Sequence, residues 1–152
     1  MTINKIDLDI LRILQKDARL TIKEVASAIN LSITPVHDRI RKLEKQGFIE
    51  RYVALLNRRK LGKSMLVYCN VTLDKQRKES FEEFNEAVLY MPEVLECSVV
   101  SGSFDYLMKV VADDMESYND FYQQKLSVLK SVLHISSFFV MSEVKGTTEL
   151  PI

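Results

Sequence analysis

Residues 20–48 read LTIKEVASAINLSITPVHDRIRKLEKQGF, and this stretch decides the front of the fold. Thr21-Ile22-Lys23-Glu24 is a capping box: the hydroxyl caps a helix start, and the carboxylate three residues on caps back. Ile22, Val25, Ala26 and Ile29 fall at i, i+3, i+4 and i+7, one apolar stripe on a short helix. Asn30 ends that helix, because Asn tolerates left-handed backbone better than most non-glycine residues. Ser32 is placed to cap a second helix, with Pro35 in its first turn, where a missing N–H costs nothing. Val36, Ile40 and Leu43 form its narrow core seam. The opposite face carries Thr34, Asp38, Arg41, Lys42 and Lys45, with His37 and Arg39 on its flanks. This is a helix-turn-helix pattern whose second helix suits a DNA major groove. The candidate DNA contacts are Ser32, Thr34, His37, Asp38, Arg39, Arg41, Lys42 and Lys45.

Two amphipathic helices with a charged outer face also occur in ordinary bundles, so charge distribution has to discriminate. The chain is neutral overall, with 21 basic and 21 acidic residues. Residues 1–60 hold 13 Lys/Arg against 7 Asp/Glu, a balance of +6; residues 61–152 hold 8 against 14, a balance of −6. A basic front half that coincides with the helix-turn-helix is an electrostatic footprint for phosphate. The acidic rear half would repel a polyanion and must serve another purpose.

An apolar content of 47% and a charged content of 28% are those of a soluble globular protein. No run approaches 18 apolar residues, so no membrane partner is expected. The opening MTINKIDLDI does not read as a secretory signal. Cys69 and Cys97 lack metal-ligand spacing and read as buried free thiols, which suits a cytoplasmic location.

The pattern divides at Asn57–Gly62, which is basic, polar and ends in glycine. A 1–60 helix-turn-helix domain with a linking strand and a 61–152 domain follow from it. Ahead of the reader, Ile6, Ile10, Ile13 and Leu14 give a third helix, roughly Lys5 to Lys16, that can close a three-helix core. Phe48 to Leu55 has β character and could serve as a wing or linking strand. Behind the boundary the period changes to two. Strands are expected near 65–73, 94–100, 104–112 and 134–145, with helices near 78–90 and 115–126 and a hairpin signal at Ser101-Gly102-Ser103. The second helix should present Met115, Tyr118, Tyr122 and Leu126. The fold class is α+β: a three-helix (winged) helix-turn-helix followed by a βαββαβ ferredoxin-like dimerisation domain. Two helices cover one face of such a sheet. Leu66, Tyr68, Leu107 and Val111 leave the other face apolar enough to call for a second copy, a homodimer.

IDLDILRILQKDARLTIKEVASAINLSITPVHDRIRKLEKQGFIERYVALLN followed by VVSGSFDYLMKVVADDM resembles the Lrp/AsnC (leucine-responsive and asparagine regulator) family of transcription factors. The likeness runs from about Ile6 to Leu150, and the SerGly-x-PheAspTyr stretch at 101–106 is its most specific part. Asn30 stands where the family often has Gly, and Ile33 is a second departure. The resemblance implies binding to double-stranded DNA, dimers assembled into octamers or other rings, and a small-molecule effector, often an amino acid. It implies an effector pocket at Gly102, Ser103, Phe104, Asp105 and Tyr106, with Ser136 and Ser137 as a far wall. Backbone N–H groups at a glycine turn can hold a carboxylate, and Asp105 can pair with an ammonium. The alternative is that Gly102 only permits the hairpin and Asp105 caps it.

No nucleophile–base pair, metal-ligand cluster, P-loop or dinucleotide fingerprint is present in the sequence, so neither catalysis nor a cofactor is expected. Siroheme decarboxylases share a similar scaffold and are the enzymatic alternative. Two histidines in different domains and an acidic rear half fit a tetrapyrrole carboxylate poorly. A sensing module without DNA binding is the other alternative, and the basic face of the second helix argues against it.

Overall fold

The computed structural model describes residues 3–152. They form two compact units, residues 3–55 with Lys145–Ile152, and Leu56–Val144. The break between them falls after Leu55, ahead of the expected boundary at residue 60, and the last eight residues group with the first unit. Gln15 grips Leu150 twice there, its amide donating to the Leu150 carbonyl at 3.0 Å and accepting from the Leu150 N–H at 2.9 Å. Arg12 Nε donates to the Ile152 carbonyl at 2.6 Å.

In the first unit α1 (Lys5–Leu14), α2 (Ile22–Ala28) and α3 (Ile33–Lys45) close around Ile10, Leu14, Val25, Ala26, Val36, Ile40 and Leu43. The capping box at Thr21 and Glu24 is formed, and a second joins Asn4 to Asp7. Asn30 is left-handed at φ 54°, the conformation that lets the chain turn sharply between α2 and α3. Residues 50–57 carry no strand. The β character of Phe48 to Leu55 finds no partner strand among the described residues, and an unpaired segment makes no ladder.

The second unit is a four-stranded antiparallel sheet, β1 (Met65–Leu73), β2 (Val94–Val99), β3 (Tyr106–Ala112) and β4 (Val132–Phe139), in the order β2-β3-β1-β4. With α4 (Lys78–Leu89) and α5 (Met115–Phe121) this is the ferredoxin-like βαββαβ arrangement. Val67, Cys69, Val71, Leu73, Met108 and Val110 bury under Phe84, Tyr118, Phe121 and Leu126.

Three local readings change. β4 stops at Phe139, because Val67 is the last β1 partner and only the Val140 N–H to the Leu66 carbonyl continues beyond. β3 begins at Tyr106 instead of Phe104, residues 101–105 being the bend. Met115, in the first turn of α5, is exposed while Phe121 is buried, and the helix continues over Tyr122–Leu126 as a π-helical turn that buries Leu126.

Candidate nucleic-acid interface and effector turn

α3 presents Ser32, Thr34, Asp38, Arg41, Lys42 and Lys45 to solvent, because Val36, Ile40 and Leu43 turn its other side into the core. Ser32 occupies the N-cap without a hydrogen bond from its hydroxyl to the helix. His37 is half-buried, its Nδ1 3.5 Å from Asp38 Oδ1. Arg39 is placed differently from the other cations. Its guanidinium meets Asp7 Oδ1 of α1 at 2.7 Å and Asn4 Oδ1 at 3.4 Å. The side chain keeps 31% of its surface exposed and Asp7 only 14%. Arg39 therefore ties α3 to the start of α1, and the remaining cations project from the helix.

Behind α3 the Tyr52 hydroxyl donates to Glu44 Oε1 at 2.9 Å. Partial burial, and then the carboxylate it bonds, push the phenol up to about 12. This contact anchors the exit of the reading unit from a residue whose sequence periodicity suggests only a strand.

The turn between β2 and β3 is closed by the Val100 N–H on the Asp105 carbonyl, 3.0 Å. Gly102 sits at φ 146°, a conformation L-residues rarely adopt, and Ser101, Gly102 and Ser103 are exposed. Among the described residues, the N–H groups of 101–104 meet no acceptor. Asp105 itself is 7% exposed and fully engaged within the chain. Its Oδ2 accepts the Leu73 N–H at 2.7 Å and its Oδ1 accepts from Gln76 Nε2 at 2.9 Å. Sequence spacing could not show this, since Leu73 and Gln76 stand about thirty residues earlier.

The other candidates split between the two faces of the sheet. Tyr106 points under α4, with its ring 4.3 Å from that of Phe84 and its hydroxyl donating to Asn85 Oδ1 at 2.7 Å. Ser137 lies opposite Cys69, and its hydroxyl meets that of Tyr118 on the helix side. Cys69 Sγ is 3.2 Å from the same Tyr118 hydroxyl. Burial pushes both the thiol and the phenol up. Ser136 is on the opposite face, across from Asn70 and 3.0 Å from His134 Nε2. Phe104 is half-buried beside the turn. Among the described residues no group of three or more His, Cys, Asp or Glu is arranged to hold a metal ion.

Two family models match these two bodies: one described as winged helix-turn-helix DNA-binding over residues 3–50, the other as Lrp/AsnC ligand binding domain over 66–150. The chain belongs to the Lrp/AsnC family. The leucine-responsive regulatory proteins of Klebsiella pneumoniae and Escherichia coli K12 are each 42% identical to it over 150 residues. Those alignments cover 99% of this chain and 92% of each relative. A Neisseria meningitidis transcriptional regulator, solved as an L-Met complex, superposes with a TM-score of 0.95 at 33% identity, covering 99% of this chain and 97% of that one. An AsnC-family regulator from Agrobacterium tumefaciens gives 0.93 at 38% identity, covering 98% and 97%. This Lrp/AsnC chain is thus a transcription regulator with a helix-turn-helix that binds DNA and a ligand-binding ferredoxin-like domain.

Proposed function

We propose that the chain is a sequence-specific regulator whose DNA affinity or assembly responds to an amino acid with an apolar side chain. The observation that carries the reading is the division of chemistry: exposed Arg41, Lys42 and Lys45 on α3, and unpaired N–H donors on an exposed glycine turn of the other unit. The first set suits phosphate and base edges. The second suits a carboxylate. The leucine-responsive relatives and the neighbour holding L-Met point to leucine or methionine as the effector class. Gly102, Ser103 and Phe104 receive the carboxylate in this reading. Asp105 acts through the turn it braces, Ser136 lies on the open face, and Tyr106 and Ser137 support from the core.

A homodimer fits the sheet face that the helices leave open. There Tyr68 lies opposite Phe138, and both are exposed along with Leu107 of β3. Burying these rings against their copies would stabilise association and set paired readers on one duplex. Such dimers would build an octamer or another closed ring. In this reading the regulator works in the cytoplasm, without catalysis or cofactor. No helix among the described residues is long and apolar enough to cross a membrane.

The test uses the full chain. Duplex DNA should be bound with an affinity that falls steeply with salt. A thermal-shift screen of the twenty amino acids should raise the midpoint for leucine, methionine or both. No shift with any amino acid would overturn the effector reading, and salt-independent or absent DNA binding would overturn the other half.

A further inference from the structure

Ile33 is the first residue of α3, and half of its surface remains exposed. Leu31, in the turn just before it, is 37% exposed. Neither belongs to the buried core of the reading unit, which α3 supplies through Val36, Ile40 and Leu43. A branched apolar side chain at this place has no capping or helix-forming advantage, since β-branching lowers helix propensity. Its position gives it a different use.

Successive residues of a helix are about 100° apart, so Ile33, Thr34, His37, Asp38 and Arg41 run along one strip from the tip of α3. Ile33 stands at the edge of that strip, about 20° round the helix from Ile40 of the core seam, and Arg39 lies beyond the seam. In a helix docked in the major groove, the N-terminal residues are the ones that reach base edges. The major-groove edge of a base pair offers hydrogen-bonding groups and one methyl group, the C5-methyl of thymine. Isoleucine can neither donate nor accept a hydrogen bond. Against a cytosine or purine edge it would strip water from polar atoms and return nothing. Against a thymine methyl it buries apolar surface on both sides.

We propose that Ile33 is a specificity-determining residue that packs on the C5-methyl of a thymine in the bound site. The inference rests on the DNA-binding reading and goes beyond it by naming the base and the group recognised. Charge complementarity commits the occupant to DNA: the exposed cations Arg41, Lys42 and Lys45 follow on the same helix and bring a polyanion to this tip. A protein partner seated on Leu31 and Ile33 would be indifferent to a methyl group on DNA.

The test begins with the full-length chain and a duplex site selected by it from a random-sequence pool. Each thymine of that site is replaced singly by deoxyuridine, which removes one methyl group and leaves pairing intact. At one thymine of each recognised half-site, wild-type affinity should fall about three- to fivefold, the worth of one buried methyl. Ile33→Ala should bind the unmodified site more weakly and lose the thymine–deoxyuridine difference. Ile33→Val, which keeps branched methyl groups, should retain most of it. Circular dichroism of both variants should match wild type, because Ile33 is not part of the core.

Equal sensitivity of wild type and Ile33→Ala to deoxyuridine at every thymine would overturn the inference. Failure of the wild-type chain to enrich any duplex would instead overturn the DNA-binding reading beneath it. The two failures are therefore separable.

Discussion

Asp105 Oδ2 accepts the backbone N–H of Leu73 at 2.7 Å, which joins the turn after β2 to the end of β1. A carboxylate that the family resemblance assigns to an effector's ammonium is thus also the brace of the loop carrying it. Asp105→Ala leaves the buried Leu73 N–H without its acceptor, at a cost of about 1–3 kcal/mol. Asp105→Asn keeps an acceptor for that N–H, with Gln76 free to reverse its amide, and removes only the charge. If Asp105 acts as a brace, the Asn variant keeps near-normal effector affinity by calorimetry and the Ala variant loses it. If the carboxylate pairs with the ammonium directly, both variants lose about tenfold or more.

The cations of α3 should separate into two groups. Arg41→Ala should weaken operator binding by about 1–3 kcal/mol and leave the melting temperature unchanged. Arg39→Ala breaks a half-buried pair with Asp7 and should lower stability by about 1–2 kcal/mol. The salt dependence of DNA binding distinguishes them. If Arg41 neutralises a phosphate, its removal reduces the slope by about one, whereas removal of Arg39 leaves the slope unchanged. A reduced slope for Arg39→Ala would place its guanidinium on DNA instead.

The open sheet face predicts its own disruption. Phe138→Asp puts a charge opposite Tyr68, and sedimentation of that variant should show loss of the dimer with far-UV dichroism retained. An unchanged sedimentation coefficient would remove this face from the interface.

Both thiols should be slow to alkylate. The Cys69 thiol is enclosed, whereas Cys97 on the edge strand is exposed, against the expectation of two buried thiols, and lines an open groove with Val88 and Tyr106 beside α4. Burial pushes the Cys97 thiol up to about 11 from an ordinary 9.0. At pH 8 roughly one molecule in a thousand carries that thiolate. The folded chain holds this proton where the unfolded chain has released it, so the contribution to stability falls as pH rises from 9 toward 11. Iodoacetamide labelling of the native chain at pH 8 should trail that of the denatured chain by at least about tenfold.

Gln15→Ala removes both hydrogen bonds to Leu150 and should loosen residues 145–152, readable as faster amide exchange there. Exchange unchanged from wild type would mean that Arg12 and packing suffice to hold the segment.

The elements that were legible in the sequence are those whose information is local. Thr21 and Glu24 announce α2 within four residues, Val36, Ile40 and Leu43 define the inner face of α3, and the alternation from Met65 to Leu73 writes out β1. What stayed hidden depends on partners distant in sequence. Arg39 looks like any exposed recognition-helix cation until Asp7 is brought beside it. Asp105 looks free until Leu73 and Gln76 arrive. The end of β4 looks extended to residue 145, whereas its pairing with β1 ends at Val67 and Phe139. Ser136 and Ser137 are neighbours in sequence, yet the pleat sends them to opposite faces.

The return of residues 145–152 to the first unit has a consequence for how the chain comes into being. The reading unit precedes the sheet domain along the chain, and its three helices can assemble before that domain is made. The residues that Arg12 and Gln15 grip are translated after the whole sheet domain. The body that is synthesised first is therefore finished last. A chain cut short before Leu150 would carry a complete ligand-binding domain beside a DNA reader still missing its final turn of chain.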